Sequence, residues 1–144
     1  MFTRLILKLT VLAMVFGVVT GCAGMQAGDK KPHNIVIQVI DNDPGRWKQT
    51  LSIVKNLKKD MGKDNLAIEI VAHGGGINMI LKESEVANLL ADAQKDGVVL
   101  AACAASMKGQ KVNEKDLFTG VSVVPFGAKE IMQKQEAGWS YLRM

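Results

Sequence analysis

Residues 98–109, VVLAACAASMKG, decide the fold, because an apolar run there turns abruptly into small and polar residues. The run up to Ala102 is typical of a buried strand, and the residues after it are typical of a loop or a short helix. Cys103 therefore lies where a central strand ends. The alanines on both sides leave space around its sulfur, and Lys108 together with nearby backbone N–H groups would favour a thiolate.

The pattern around Cys103 has two interpretations. A thiol at the end of a strand can be a nucleophile that meets a ligand. A free cysteine in an apolar strand is, however, more often an inert part of the core. The spacing alone leaves both interpretations open.

Strands and helices alternate along the rest of the chain. Apolar runs predict strands at residues 35–40, 66–72, 98–103, 121–124 and 139–143. Helical spacing and turn residues predict helices at residues 44–61, 77–81, 84–95, 113–118 and 127–137. This alternation is typical of a mostly parallel sheet with helices on both faces, so we expect an α/β fold of three layers, α/β/α, around five strands.

Specific residues set the boundaries of the longer helices. Asp43 is a suitable N-cap, and Pro44 follows at the first helical position, where its missing N–H is no loss. Gly62 is expected to end the first helix, and Gly97 the helix before the third strand.

The first 21 residues have the features of an export signal. Arg4 and Lys8 carry their only charges, and residues 9–19 are apolar over a length too short for a comfortable membrane span. The sequence VTGC at residues 19–22 resembles the lipobox of bacterial lipoproteins. The resemblance implies cleavage before Cys22 and a diacylglycerol group on its sulfur.

The signal and its lipobox divide the chain into three parts. We predict a signal peptide at residues 1–21, a flexible tether from lipidated Cys22 at residues 22–33, and a folded domain at residues 34–144. The protein is then expected to be exported and anchored by lipid on the periplasmic side of a membrane. Ala23, in place of an aspartate, implies the outer membrane if the host is Gram-negative.

Removing residues 1–21 leaves 123 of the 144 residues, which is enough for one domain with a real core. This part keeps 16 of the 18 lysines and arginines and all 14 acidic residues, without an arginine-rich run or an aromatic platform. We therefore expect no nucleic-acid partner. Acylation of Cys22 would leave Cys103 without a disulfide partner in its chain, so in an oxidising compartment the thiol must be buried, paired between chains or kept for chemistry.

Polar and reactive side chains follow three of the predicted strands. Asp41 follows the first strand, His73 with Gly74 and Gly75 follows the second, and Cys103 ends the third. Ligands of open parallel sheets bind outside the carboxyl ends of the strands. A histidine beside the cysteine would hold a thiolate as an imidazolium or accept its proton as an imidazole, but the sequence does not determine whether the two strands are adjacent.

Other classes of site have weaker support. The glycines after His73 lack the spacing of a nucleotide-binding loop, and one cysteine with two histidines makes no metal cluster, so we expect neither a metal nor a cofactor. Ser106 lacks the G-x-S-x-G context of a nucleophile and is interpreted as a helix cap or a hydrogen-bond donor to the sulfur. The absence of C-x-x-C disfavours a thiol–disulfide oxidoreductase.

Several short motifs in this order resemble the DsrE/DsrF-like (YchN-like) family: H-G after the second strand, C-x-x-S after the third, and the closing segment G-W-S-Y-L. The similarity covers about residues 34–143. It implies a small DsrEFH-like α/β domain that forms trimers or hexamers and, in several members, carries sulfane sulfur as a persulfide on the cysteine matched by Cys103. His73 and Gly74 match a recurring pair of the family's pocket, and Asn56 matches a recurring helix position.

The resulting hypothesis is a lipoprotein that binds or carries sulfane sulfur on Cys103. Residues expected around the ligand are His73, Gly74, Gly75, Ser106 and Asp41. The expected partners are a sulfur donor or acceptor protein and further copies of the chain, for which Met107, Met132 and residues 139–142 are candidate contact surfaces. The alternative is a non-catalytic oligomeric module that binds a small ligand or a protein, with Cys103 as a structural core residue, so the sequence leaves enzymatic activity open.

Overall fold

The computed structural model describes residues 33–144. The predicted signal peptide, the lipobox with Cys22 and the tether before His33 lie outside the described residues.

Within this part of the chain, five strands alternate with four α-helices and two short 3-10 helices. The strands are β1 His33–Val39, β2 Leu66–Ala72, β3 Val98–Cys103, β4 Ser122–Val124 and β5 Ser140–Arg143. The α-helices are α1 Pro44–Met61, α2 Ala87–Lys95, α3 Ala104–Gln110 and α4 Gly127–Glu136. The 3-10 helices are Gly74–Ile80 and Glu114–Asp116.

The strands form one parallel sheet in the order β4-β3-β2-β1-β5. The chain moves one strand at a time from β1 to β4 and then crosses the whole sheet to reach β5. Because parallel crossovers are right-handed, this reversal places α1 and α2 on one face and α4 on the other. The three-layer α/β fold expected from the sequence is confirmed.

The two faces of the sheet differ in how much they bury. On the first face, Ile37, Ile70 and Leu100 pack with residues of α1 and α2 in the large core. The second face is covered by α4, and its buried cluster consists of Val36, Val71, Ala101 and Ile131. Successive residues of a strand alternate between these faces. Cys103 is the last residue of β3 and packs with the large core.

The start of α1 follows from its capping residues. The Asp43 carboxylate accepts hydrogen bonds from the backbone N–H groups of Gly45 (2.8 Å) and Arg46 (3.2 Å), and Pro44 is the first helical residue. Gly62 ends the helix with a φ of 87°, which glycine adopts without strain. The predicted boundaries of this helix are confirmed.

The glycine run is where the elements differ most from the prediction. The 3-10 helix begins at Gly74, three residues earlier than the turn predicted at 77–81, so the glycines are helical rather than a hinge before it. A Cβ at Gly76 would lie 2.2 Å from the Val39 carbonyl oxygen, so the run lets this helix pack directly on the end of β1. Helix α2 begins at Ala87 rather than at residue 84, because Ser84 forms a turn in which its carbonyl accepts from the Ala87 N–H (3.0 Å).

None of the helices in residues 33–144 combines the length and the apolar character that crossing a membrane requires.

Candidate functional site

The carboxyl ends of β3 and β4 form the point where the connections of the sheet diverge. After β3 the chain passes over the first face, where Met107 and Leu117 join the large core, and after β4 it passes over the second face as α4. Ligands of open α/β sheets bind in the crevice at such a divergence. Cys103 is the last residue of β3 and Gly127 is the first of α4, so both lie at this point.

The Cys103 side chain lies at the N-terminus of α3, which begins at Ala104. The residue is only 5% exposed. Burial raises the pKa of its thiol, but hydrogen bonds outweigh this effect and hold the pKa below the usual value. The groups that lower the pKa are the Ser106 hydroxyl and the backbone N–H groups of Gly127, Ser106 and Ala105. The Cys103 side chain makes no cap hydrogen bond at the start of α3, and the Ala105 N–H donates to the Pro125 carbonyl at 3.3 Å.

Ser106 connects the thiol to the end of β2. Its hydroxyl oxygen accepts a hydrogen bond from the Gly74 N–H at 2.9 Å, which leaves the hydroxyl proton for the sulfur. The Gly74 carbonyl in turn accepts from the Gln110 side-chain amide at 2.5 Å. Side chains of α3 therefore bond to both the N–H and the carbonyl of Gly74. The Gly74 N–H in turn orients the Ser106 hydroxyl that faces Cys103.

His73 ends the strand next to Cys103, since β2 and β3 pair directly. Its Nε2 lies 2.6 Å from the side-chain nitrogen of Gln38. The side-chain oxygen of Gln38 accepts a hydrogen bond from the Tyr141 hydroxyl. Burial, and secondarily the charge of Arg143, lowers the pKa of the imidazole. The ring is thus neutral near pH 7 and is bonded toward β1, and no hydrogen bond joins it to Cys103 among the described residues.

The thiolate is consequently stabilised in a different way from the one the sequence suggested. The sequence predicts a histidine that either holds a thiolate as an imidazolium or accepts its proton as an imidazole, but His73 has a lowered pKa and its Nε2 lies 2.6 Å from Gln38. The hydroxyl and backbone donors supply the stabilisation instead.

Gly127 is a site residue that the sequence analysis missed. A Cβ at this position would lie 3.2 Å from the Cβ of His73 and 3.3 Å from the Cβ of Cys103. Only a glycine lets the N-terminus of α4 approach so closely, and no side chain caps that N-terminus. A glycine at the first position of a predicted helix without a capping residue before it was the available signal.

The remaining predicted residues lie around the same edge of the sheet but have other contacts. Gly75 packs against the loop after β1, where a Cβ would lie 2.9 Å from the Asn42 backbone nitrogen. Asp41 forms an ion pair with Arg46 at 3.6 Å and lines a cavity of about 420 Å³ that also includes Arg143. Asn56 is exposed on α1.

A groove between α1 and α2 is separate from the thiol. It has a volume of about 490 Å³, with Leu51, Val54 and Ala93 among its lining residues. Cys103 and His73 line neither this groove nor the cavity at Asp41. Residues 33–144 contain no group of three or more His, Cys, Asp or Glu side chains placed to hold a metal ion.

A comparison with models of protein families matches residues 35–144 to the DsrE/DsrF-like family. The chain belongs to the DsrE/DsrF-like family. The matched residues include β1 from Ile35 and all of β2 to β5. Cys103 and His73 therefore lie within the DsrE/DsrF-like domain.

Solved structures give the same fold. A protein of unknown function, MTH1491 from Methanobacterium thermoautotrophicum, is 29% identical to this DsrE/DsrF-like chain with a TM-score of 0.74, covering 78% of this chain and 99% of that one. BT1422 from Bacteroides thetaiotaomicron, a conserved protein of unknown function, has 14% identity and a TM-score of 0.64 over 77% and 94% of the two chains. The ychN protein from E. coli has 11% identity and a TM-score of 0.60 over 78% and 98%. The latter two support the fold alone, and no match is found among curated proteins.

Proposed function

We propose that this chain is an exported lipoprotein that carries sulfane sulfur as a persulfide on Cys103. The observation that carries the proposal is the position of Cys103 at the end of β3 and the start of α3, where the Ser106 hydroxyl and the backbone N–H groups of Gly127, Ser106 and Ala105 lower the pKa of its thiol. Donors of this kind stabilise a sulfur anion, whether it is the thiolate or the terminal sulfur of a persulfide.

Loading of Cys103 is a displacement at sulfur. The thiolate attacks the outer sulfur of a donor such as thiosulfate or a protein persulfide. A new S–S bond forms to Cys103 while the S–S bond of the donor breaks, and the electron pair of that bond leaves with sulfite or with the donor thiolate. Delivery follows the same course with an acceptor thiolate as the nucleophile, and the lowered pKa of Cys103 makes it a good leaving group.

Export and lipidation complete the proposed function. The apolar segment at residues 9–19 and the VTGC sequence support cleavage before Cys22 and an anchor on the periplasmic side of the membrane. The wild-type protein should then fractionate with membranes and Cys22→Ala should not. Equal fractionation of the two proteins would contradict lipidation at this residue.

We further propose that the chain forms a homo-oligomer, as a trimer or a hexamer. Large apolar side chains support this proposal because Val99, Phe126, Met132 and Tyr141 are exposed on the described domain. Met107 is 4% exposed and belongs to the core, so it is unsuited to the subunit contact for which the sequence made it a candidate.

Mass spectrometry of the intact protein tests the sulfur chemistry. Purified residues 23–144 are incubated with thiosulfate or polysulfide and should gain about 32 Da per added sulfur atom, an adduct that a reductant removes. Cys103→Ser serves as the control and should gain nothing. A wild-type protein without a reducible adduct would rule the proposal out.

The alternative is a non-catalytic binding module in which Cys103 is structural. The burial of Cys103 favours it, since a thiol that is 5% exposed is poorly accessible to large reagents. Maleimide labelling separates the two functions. A folded wild-type protein that labels within minutes argues for a reactive thiol, and one that labels only after unfolding argues for the module.

A further inference from the structure

Three side chains form a hydrogen-bonded chain from β5 to the end of β2. The Tyr141 hydroxyl bonds to the side-chain oxygen of Gln38, and the side-chain nitrogen of Gln38 lies 2.6 Å from His73 Nε2. Gln38 is the polar residue within the apolar sequence IVIQVI of β1, where packing alone would favour another aliphatic side chain. Its conformation is therefore determined by its two partners.

The chemistry of the three groups gives the direction of each hydrogen bond. A phenol is a good donor and its oxygen a weak acceptor, whereas an amide oxygen is a strong acceptor. The best pairing has the Tyr141 O–H donate to the Gln38 oxygen, which leaves the Gln38 N–H to donate to the ring nitrogen. His73 Nε2 then accepts, so the imidazole proton is on Nδ1.

The neutral state of the ring follows from the same contacts. An imidazolium would direct its Nε2–H against the Gln38 N–H, and it would also face the charge of Arg143 on β5. The half-buried position of the ring adds a desolvation penalty for the charged form. His73 is therefore poorly suited to take the proton of Cys103.

The Nδ1–H of His73 remains available for a ligand. Nδ1 makes no hydrogen bond to another residue of the described part of the chain. The Cβ atoms of His73 and Cys103 lie 3.2 Å and 3.3 Å from the position that a Cβ would occupy at Gly127. A sulfur species that extends from Cys103 toward β2 would approach this uncharged N–H donor.

We propose that Gln38 is a positioning residue that holds His73 as a neutral Nδ1–H donor to the anionic sulfur species handled at Cys103. This inference rests on the proposed function and adds the class of its substrate. The fixed donor favours anions, such as thiosulfate, hydropolysulfide or a persulfide anion, over neutral disulfides and trisulfides, which are weak acceptors. Gln38 acts only through His73 and does not touch the reacting atoms.

Nitrogen NMR of the imidazoles tests the position of the proton. Residues 23–144 contain His33 and His73, and His33→Asn assigns the signals. At pH 7 we expect His73 to be the Nδ1–H tautomer in the wild type and to become mainly Nε2–H in Gln38→Met, the form that prevails in a free histidine side chain. Gln133→Met on the exposed side of α4 is the control and should leave His73 unchanged. An Nε2–H or doubly protonated His73 in the wild type would overturn the inference.

The rates of alkylation and of sulfur loading distinguish a positioning role of Gln38 from a general effect on the structure. Alkylation by iodoacetamide, a neutral reagent, depends on the thiolate and should be unchanged in Gln38→Met. Loading from thiosulfate should fall by about two- to tenfold, the effect of one net hydrogen bond. Equal losses in both rates would overturn the positioning role, and Tyr141→Phe provides a milder second variant if Gln38→Met is poorly folded.

The outcomes also distinguish this inference from the proposed function. A wild type that takes up no sulfur but has His73 in the Nδ1–H form would overturn sulfur as the ligand and leave the role of Gln38 in fixing the ring intact. Sulfur uptake with a His73 that does not respond to Gln38→Met would support the proposed function and overturn this inference.

Discussion

At the scale of single residues, Ser106 contributes the side-chain donor to the Cys103 sulfur, and backbone N–H groups contribute the others. A hydroxyl can be removed by substitution, whereas a backbone donor cannot, although removal of this hydroxyl also leaves the Gly74 N–H without its acceptor. Ser106 therefore offers the most direct way to change the acidity of the thiol.

Ser106→Ala should shift the alkylation of Cys103 to higher pH. The Ser106 hydrogen bond lowers the thiol pKa, so its loss raises the pKa and reduces the thiolate fraction below it. Loss of one hydrogen bond to the thiolate should slow the reaction of Ser106→Ala with iodoacetamide about tenfold at pH values below the pKa. The rates of the wild type and the variant should converge at high pH. Ser52→Ala on the exposed side of α1 is the control. Identical pH profiles for the wild type and Ser106→Ala would show that the hydroxyl does not stabilise the anion.

Gly127→Ala should destabilise the fold and raise the pKa of Cys103 together. The new methyl group would lie 3.2 to 3.3 Å from the Cβ atoms of His73 and Cys103, so the start of α4 must move away from the sulfur. Overpacking of this kind costs about 1–3 kcal/mol. Chemical denaturation measures the stability and iodoacetamide the thiol pKa.

Gly109→Ala is the matched control for that substitution. Gly109 lies inside α3, and a Cβ there meets nothing within 4 Å. Gly109 is the penultimate residue of this helix, and replacing it with alanine should stabilise the protein by at most about 0.5–1 kcal/mol. If Gly127→Ala behaved like Gly109→Ala, close approach of α4 to the thiol would not be required.

The sequence indicated only part of this site. Cys103, His73 and Ser106 could be placed at strand ends because each follows an apolar run. Gln38 and Tyr141 could not be connected to them, since their contact depends on the crossover that brings β5 beside β1. One-dimensional patterns carry no information on such a pairing.

At the scale of the elements, α4 is attached to the sheet by an ion pair as well as by apolar contacts. Glu69 projects from the middle of the second face and is 4% exposed, and its carboxylate bonds to Lys134 of α4. The Lys134 ammonium lies 4.4 Å from the centre of the Trp139 ring and 3.6 Å from Glu130. Burial lowers the pKa of Lys134, but its hydrogen bond to Glu69 outweighs this and raises the pKa.

Lys134→Met should lower the free energy of unfolding by more than the loss of the Lys134 contacts alone would. The substitution leaves the Glu69 carboxylate buried without its partner, which typically costs about 3–5 kcal/mol. The double variant Glu69→Leu with Lys134→Met should recover most of the loss, because an apolar pair replaces the buried charges. Urea unfolding of the single and double variants measures the coupling, with Lys129→Met on the exposed part of α4 as the control. A double variant no more stable than Lys134→Met would contradict this account.

The elements were predicted more completely than the site. Strand β2 and the start of α1 match because apolar alternation and caps act locally. The 3-10 helix at the glycine run was misplaced because its packing on the Val39 and Ile40 backbone depends on the neighbouring strand. Caps and apolar patterns therefore predicted the boundaries of those elements that depend mainly on their own residues.

At the scale of the whole molecule, parallel strands separate the two ends of the domain. The described chain enters at His33 on the amino edge of the sheet, and Cys103 lies at the carboxyl edge. A strand of six or seven residues spans roughly 20 Å. If the chain is anchored through Cys22 as proposed, the edge with the thiol can be directed away from the membrane, toward a soluble donor or acceptor.

The second face of the sheet is incompletely covered where β4 is short. Strand β4 pairs only with residues 101–103 of β3, so the first half of β3 has no partner on that side among the described strands. Val99 lies in this half, on the same face as the buried Glu69, and is 48% exposed. Phe126 and Met132 add apolar surface, at 59% and 51% exposed. An open strand edge beside apolar side chains favours association with another copy of the chain.

Val99→Lys should dissociate the proposed oligomer. Residues 23–144 of the wild type are expected to have a multiple of the monomer mass in light scattering at micromolar concentration. A lysine at position 99 places a charge at the open edge, where burial against a second copy would require its desolvation. Leu89→Lys is the matched control, because Leu89 is 42% exposed on α2, in the layer that covers the opposite face. A monomeric wild type would rule out the assembly, and an oligomer that persists in Val99→Lys would place the subunit contact elsewhere on the domain.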